Sequence, residues 1–334
     1  MGLTFRKNRF EVNQYIDGVL AGDRMMLSKA ITLVESRLPS DNELAEAVLE
    51  GLLPHTGRSL RIGITGVPGA GKSTFIESFG THLTSTGKRI AVLTVDPSSQ
   101  RSQGSILGDK TRMETLANDP LAFVRPSASG DTLGGLHSKT RETMLLCEAS
   151  GFEIIIIETV GVGQSEISVK GIVDFFLLLM IAGAGDELQG IKRGIMEMAD
   201  GIAINKADGD NIRRSQLAQR EYQNALHLFP PSGSGWYPRV LTCSAAESKG
   251  IQEIWAMICE HQLMLKNNGL FFSNRQLQAR QWMYEVIDYH LRAQFFSHGA
   301  VSKSLLFMEE QVESGKLPAI AAARKLLNAF REKE

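Results

Sequence analysis

Between residues 66 and 74 the chain reads GVPGAGKST, and the types and spacing of these residues suit the binding of a chain of phosphates. Glycine, glycine, lysine and serine fit the pattern G-x-x-x-x-G-K-[ST], in which backbone N–H groups turn inward on phosphate oxygens. The N-terminus of the following helix adds to the attraction. We therefore predict that a nucleotide triphosphate is held by Gly66, Val67, Pro68, Gly69, Ala70, Gly71, Lys72, Ser73 and Thr74.

Two side chains of this loop have predicted chemical roles. Lys72 is expected to reach the β and γ phosphates and to take part in catalysis, and Ser73 is expected to ligate Mg²⁺. In the absence of a ligand we expect Lys72 to face solvent. A Gly-rich turn without function is the alternative, but the strand before it and the helix after it argue against that.

Triphosphate chemistry also needs carboxylates near the metal, at the carboxyl ends of strands that neighbour the loop. The predicted strand AVLTVD ends in Asp96, the predicted strand EIIIIE ends in Glu158, and Asp109 follows Asp96 in DPSSQRSQGSILGDKTRM. We predict that these carboxylates hold Mg²⁺ or orient water. The sequence leaves open which of them touches the metal directly.

The segment from Glu158 to Gly161 stands where switch proteins carry D-x-x-G, whose glycine N–H senses the γ-phosphate. Glutamate replaces the aspartate here. Many Ras-like proteins place a water-orienting glutamine directly after that glycine, whereas this chain has Val162 there and Gln164 two positions later. Slow hydrolysis by the isolated protein is therefore expected, with the geometry completed by a mobile segment or a partner.

The tetrapeptide Asn205-Lys206-Ala207-Asp208 follows the apolar run GIAI and suits recognition of a base. A carboxylate such as that of Asp208 pairs with the N1–H and the exocyclic amine of guanine, while Asn205 and the stem of Lys206 hold the ring. The loop with Ser244 and Ala245, after the run RVLT, is expected to contact the guanine oxygen through its backbone. The predicted ligand is therefore GTP or GDP.

Short apolar runs alternate with helical stretches through the middle of the chain, and runs such as EIIIIE and FFLLLMI are apolar on both faces, as in buried parallel strands. This pattern predicts a doubly wound, mostly parallel α/β sheet over residues 57–268. We predict an N-terminal helical extension over 1–56 and a C-terminal helical segment over 269–334. The predicted strands are Leu60–Ile64, Arg89–Val95, Ala122–Arg125, Phe152–Glu158, Phe175–Ala182, Gly201–Asn205 and Val240–Cys243.

The overall composition is that of an ordinary globular protein of 334 residues. With 36 basic and 37 acidic residues it gives no support for a nucleic-acid or membrane partner. The longest apolar run, from Phe175, is well short of the ~20 residues that cross a bilayer. Cys147, Cys243 and Cys259 are expected to be small buried side chains in a reducing cytoplasm.

The chain resembles a family of G proteins that chaperone methylmalonyl-CoA mutase, the MeaB/ArgK type. The resemblance rests on GVPGAGKST, VDPSSQRSQGSILGDKTRM, ETVGVGQSE, AGAGDELQGIKRGI and NKAD in this order, and it covers nearly the whole chain. It implies a GTPase of the class that includes the signal-recognition-particle and nickel-insertion GTPases. It also implies a homodimer formed through the C-terminal helices, and a role in loading adenosylcobalamin into the mutase and in protecting that enzyme.

By the same resemblance, AGAGDELQGIKRGI is an additional switch segment that lends Lys192 to hydrolysis. From its residues alone it is a Gly-rich loop that enters a helix. No D-x-H-x-x-G segment is present, so the cobalamin is expected to belong to the partner.

Two other functions fit the same phosphate loop. One is a kinase linked to amino-acid transport, which would need an acceptor pocket and a base near the γ-phosphate. The other is a metallochaperone GTPase that inserts nickel, which would need metal ligands. The seven histidines form no tract or spaced pair.

Overall fold

The computed structural model describes residues 9–36, 38–95, 113–127, 133–159, 165–183, 193–229 and 233–331. The chain divides into two compact units, Met1–Gln278 and Ala279–Glu334. Within the described residues, no helix is both long and apolar enough to span a membrane.

The first unit is built on a parallel sheet, which has seven strands among the described residues and the order β3-β2-β4-β1-β5-β6-β7. The predicted doubly wound α/β class is confirmed, and every predicted strand is present to within two residues at each end. The strands are β1 (Leu60–Gly66), β2 (Ile90–Val95), β3 (Ala122–Ser127), β4 (Ile154–Thr159), β5 (Phe175–Ile181), β6 (Gly201–Asn205) and β7 (Arg239–Thr242).

Helices cover both faces of this sheet, as the apolar character of its strands requires. In β4 the side chains of Ile154, Ile155, Ile156 and Ile157 are at most 2% exposed, and they alternate between two separate hydrophobic cores. The first unit contains α1 (Val12–Leu20), α2 (Arg24–Val34), α3 (Pro39–Leu52), α4 (Lys72–Ser85), α5 (Glu114–Asn118), α6 (Leu133–Ala149), α7 (Ser165–Lys170), α8 (Arg193–Met198), α9 (Ile212–Leu226) and α10 (Ile251–Asn267).

The N-terminal helices share one of these two cores with the sheet. Tyr15, Leu27 and Ile31 are buried in the same cluster as Leu93 of β2 and Ile157 of β4. The periodic apolar residues of α1–α3 therefore form part of the packing that supports the sheet from one side.

The long helix α11 (Leu270–Ser297) starts in the first unit, where Arg275 anchors it. The Arg275 guanidinium donates to both carboxylate oxygens of Asp174, at 2.8 and 2.6 Å, and to the carbonyl oxygens of Gly57 and Ser59. Since four acceptors surround a buried arginine side chain, the first turns of α11 are held firmly to the amino ends of β1 and β5.

The second unit consists of the remainder of α11 together with α12 (Gly299–Glu313) and α13 (Ala319–Arg331). Helices α12 and α13 pack against each other, and the ring of Phe295 contacts that of Phe330. Several large apolar side chains of this unit are exposed in the single chain: Met283, Tyr284, Ile287, Leu291, Leu306, Phe307 and Ile320.

A buried histidine lies on α10, a helix that packs against β5 and β7. The side chain of His261 packs edge-on against the rings of Phe175 and Trp236, with centroids 5.1 and 4.9 Å away. The residue is 4% exposed. Burial lowers the pKa of His261, because the apolar surroundings disfavour the imidazolium.

This environment predicts an acid-dependent loss of stability. Asp200, 4.0 Å from Nε2, and Asp174 oppose the lowering of the His261 pKa, while Lys170 adds to it. Because the folded-state pKa is below the unfolded value, the unfolded chain binds more protons, and stability is lost as the pH falls below about 6.5. Thermal melts across this range should show a weaker pH dependence for His261→Phe than for the wild type. The same change at the exposed His227 should leave the wild-type slope.

Candidate nucleotide-binding site

The loop between β1 and α4 has the backbone shape that its glycines predict. Gly69 and Gly71 have φ angles of 78° and 83°, in the left-handed region that side chains disfavour. The Ala70 N–H donates to the Val67 carbonyl at 3.1 Å, which closes the turn. Helix α4 then begins at Lys72, so its free N–H groups face the enclosed space.

At the start of this loop, Gly66 lies directly against the neighbouring strand β5. A Cβ atom at Gly66 would be 2.3 Å from the carbonyl oxygen of Leu179, a backbone atom that cannot move aside. We expect Gly66→Ala to destabilise the protein by about 1–3 kcal/mol, the usual result of overpacking, measured by thermal or urea unfolding. Gly87→Ala is the matched control, since nothing lies within 4 Å of a Cβ atom there, although its φ of 83° makes alanine strained. An unfolding midpoint for Gly66→Ala at or above that of Gly87→Ala would contradict the prediction.

The Lys72 side chain folds back over the loop, which corrects the expectation that it faces solvent. Its Nζ donates to the carbonyl oxygens of Gly66 at 3.0 Å and Val67 at 3.5 Å, and the residue is partly buried. Burial lowers the pKa of Lys72, while the nearby carboxylates of Glu158 and Glu166 oppose this shift. The ammonium group is thus held inside the loop, where the phosphates are predicted to bind.

Glu158 lies beside the loop, as expected of a carboxylate at the end of β4. It pairs in register with Ile64 of β1 and Thr94 of β2. The Ser73 hydroxyl donates to the Glu158 carboxylate at 3.4 Å. A hydroxyl and a carboxylate are the oxygen ligands that Mg²⁺ prefers, so these two side chains fit the predicted metal.

A second carboxylate near Lys72 was missed by the sequence reasoning. Glu166, on the first turn of α7, is fully buried and acts electrostatically on Lys72. A buried carboxylate of this kind is uncommon unless it is paired. Its position at the end of ETVGVGQSE, shortly after the predicted metal-binding Glu158, could have indicated that it lies near the site.

The base-recognition segment lies on the other side of the phosphate loop, at the end of β6. Asn205 is 2% exposed, and both polar atoms of its amide are used. Its Nδ2 donates to the Ala70 carbonyl at 2.8 Å, and its Oδ1 accepts from the Ala245 N–H at 3.0 Å. Asn205 therefore connects the phosphate loop to the loop after β7.

Asp208 and Lys206 lie close to the contacts that Asn205 makes with Ala70 and Ala245. The Asp208 carboxylate accepts a hydrogen bond from the Ser244 hydroxyl, which also accepts from the Glu247 N–H at 3.2 Å. Lys206 has a φ of 60°, and a Cβ atom at Gly71 would be 3.8 Å from its Cε. The lysine stem thus runs close to the phosphate loop, and the Asp208 carboxylate is held in a fixed orientation.

The structure brings together the loop residues 66–74, Glu158, Asn205–Asp208 and Ser244–Ala245 at the carboxyl edge of the sheet. Four of the predicted site residues, Asp96, Asp109, Gly161 and Lys192, lie outside the described residues. Within the described ranges, no group of three or more His, Cys, Asp or Glu side chains is placed to hold a metal ion.

Comparison with known proteins gives consistent results. The chain is 52% identical over 312 residues to a putative GTPase of Caulobacter vibrioides, covering 93% of this chain and 95% of that protein. It is 44% identical over 342 residues to the mitochondrial methylmalonic aciduria type A homolog of Mus musculus, covering 99% of this chain and 82% of that one. A crystal structure described as an LAO/AO transport system kinase superposes with a TM-score of 0.77 and 38% identity, over 96% of this chain and 98% of that one.

The family comparison covers most of the chain. The sequence profile of the methylmalonyl-CoA mutase-associated GTPase MeaB matches residues 27–300. These residues include the phosphate loop, Glu158, the base-recognition segment and the loop after β7. GTP hydrolysis is therefore the reaction of this chain. The chain belongs to the MeaB family of GTPases.

Proposed function

We propose that the protein is a GTP-dependent switch that acts as a chaperone for adenosylcobalamin-dependent methylmalonyl-CoA mutase, in cofactor loading and in protection. The observation that carries this proposal is the match of residues 27–300 to a mutase-associated GTPase family. The name of the mouse relative, which refers to methylmalonic aciduria, supports the same client.

In this proposal the phosphate loop positions GTP and stabilises the charge that develops during hydrolysis. Lys72 leaves the carbonyl oxygens of Gly66 and Val67 and donates to the β and γ phosphates. Bound Mg²⁺ would neutralise charge on the same phosphates, held by Ser73 and by Glu158. Asp208 selects guanine, and Asn205 holds the two loops on either side of the nucleotide.

The residues outside the described ranges complete the proposal. We assign Asp96 and Asp109 to the metal or to the attacking water, and Gly161 to sensing the γ-phosphate. Lys192 contributes to hydrolysis from the additional switch segment. The GTP-bound and GDP-bound states would interact differently with the mutase, and hydrolysis would convert the first into the second.

We further propose that the protein is a cytoplasmic homodimer that pairs through its second unit. The exposed apolar side chains Met283, Ile287, Leu306 and Phe307 support this, since large exposed apolar patches mark interaction sites. The cobalamin is assigned to the mutase.

The proposed chaperone role is tested by a pull-down of the mutase with the immobilised protein loaded with GDP or with a non-hydrolysable GTP analogue. Recovery of the mutase that depends on the nucleotide is expected. Equal recovery with both nucleotides would contradict a nucleotide-dependent switch. No recovery with either nucleotide would contradict the mutase as the client. GTP hydrolysis would stand in both cases.

The solved relative described as a transport system kinase raises a kinase as a second candidate. Incubation with GTP labelled on the γ-phosphate and with candidate acceptors separates the two. We expect the label to appear as free phosphate. Its transfer to an acceptor at the rate of GTP consumption would favour the kinase.

A further inference from the structure

A cavity of about 600 Å³ opens at the opposite edge of the sheet from the nucleotide loops. Leu60 and Ile154, the first residues of β1 and β4, line it, together with Lys88, which shortly precedes β2. Because all strands of the sheet are parallel, this edge carries their amino ends. The cavity therefore shares no wall with the nucleotide site.

The two carboxylates in the wall are neutralised by neighbouring groups. Glu153 accepts from the Lys88 ammonium at 2.7 Å. Glu148 is buried and receives both the Arg61 guanidinium, at 2.7 and 3.1 Å, and the Gly57 N–H, at 2.6 Å. Neither carboxylate thus presents an uncompensated negative charge to the cavity.

Two cations of the wall are available to bind a ligand. Arg58 and Lys266 line the cavity, both are exposed, and neither forms an ion pair with any residue that the structure describes. The Lys266 ammonium lies 5.2 Å from the centroid of the Phe271 ring, a contact that leaves its N–H groups free to donate. The side chains that line the cavity therefore include more cations than carboxylates.

The wall of the cavity also contains apolar side chains and a thiol. Trp255 and Leu20 contribute apolar surface, and the Cys259 thiol lines the same space. Cys259 is partly exposed, which differs from the expectation of a buried side chain, whereas Cys147 and Cys243 are buried. Cys259 can thus report on occupancy of the cavity.

We propose that this cavity binds a small organic anion, with its phosphate or carboxylate group at Arg58 and Lys266 and its aromatic or aliphatic body against Trp255 and Leu20. Ligand sites commonly combine an apolar wall with a few placed polar groups in this way. Because the carboxylates of the wall are paired and the two exposed cations are not, an anion is the ligand of complementary charge. The site is separate from GTP hydrolysis and does not depend on the proposed chaperone role.

The test measures alkylation of Cys259 by iodoacetamide, an uncharged reagent, in the full chain saturated with GDP and Mg²⁺. Mildly alkaline pH is used, because burial raises the pKa of this thiol. Three probes are compared: 1-naphthyl phosphate, inorganic phosphate and 1-naphthol. Cys259→Ser identifies the signal, since Cys147 and Cys243 are buried.

Saturable protection of Cys259 by 1-naphthyl phosphate alone is the expected result. In the double variant Arg58→Gln, Lys266→Gln its apparent Kd should rise about tenfold, because two partly exposed ion pairs are lost. The double variant Arg213→Gln, Arg220→Gln on α9, which packs against β7, removes the same charge elsewhere and should bind normally.

Three results would overturn the proposal. Equal protection by inorganic phosphate would show that the apolar wall takes no part, and equal protection by 1-naphthol would show that the cations take none. Absence of protection by all three probes would show that the cavity is not a site for this class of ligand. The affected residues are exposed, so thermal melts of both double variants should match the wild type.

Discussion

Replacing Asp208 by asparagine is expected to weaken GTP binding at least a hundredfold and to shift the preference to xanthosine triphosphate. The carboxylate is predicted to accept from N1–H and the 2-amino group of guanine, whereas an amide would accept from one of them and place its own N–H donor against the other. Leaving hydrogen-bonding groups of the base unpaired costs about 1–3 kcal/mol each, and more when a charge is removed. Xanthine carries a 2-keto group in place of the 2-amino group, and this oxygen accepts a hydrogen bond from the N–H that asparagine supplies.

Equilibrium binding of GTP and of xanthosine triphosphate measures this change of preference. The matched control is Asp210→Asn, the same change at an exposed position two residues further along the chain, where no change in preference is expected. The Ser244 hydroxyl can still donate to the new amide oxygen, so the loop after β7 should keep its place. Unchanged GTP affinity in Asp208→Asn would show that the base lies elsewhere.

Replacing Lys72 by alanine is expected to lower the rate of GTP hydrolysis by roughly a thousandfold, the effect of losing one preorganised charge from a transition state. The fold should survive, because among the residues that the structure describes the lysine donates only to the two carbonyl oxygens of its own loop, those of Gly66 and Val67. Single-turnover release of phosphate measures the rate, and thermal melting measures the fold.

The exposed Lys325 provides the control for this change. Lys325→Ala removes the same charge from α13 and should hydrolyse GTP at the wild-type rate. If Lys72→Ala hydrolysed GTP as fast as Lys325→Ala, the loop would have no part in the reaction.

The strands were predictable because burial on both faces leaves a clear pattern in the sequence. The run from Ile154 to Ile157 and the run from Phe175 to Ile181 have no polar residue to interrupt them, and both are strands. The strand order was not predictable in the same way. It depends on which helix crosses which face, and β2 lies next to β4 rather than next to β1, although α4 alone separates β1 from β2 in the chain.

The candidate site was predictable where a motif supplies both the residue type and the spacing. Lys72, Ser73, Glu158 and Asp208 lie at the same edge of the sheet, as their positions after strands indicated. What the sequence could not show is the set of contacts between distant segments. Asn205 and Ala70 are 135 positions apart, and no pattern within either segment indicates that they touch.

The position of Asn205 has a consequence for how nucleotide leaves. One amide holds Ala70 of the phosphate loop and Ala245 of the loop after β7, so in the proposed nucleotide complex the contacts to the phosphates and to the base would be coupled through this side chain. A client that displaces either loop by an ångström strains the other through the same side chain. In the proposed complex, displacement of either loop would therefore weaken the hold on GDP without any contact to the nucleotide itself.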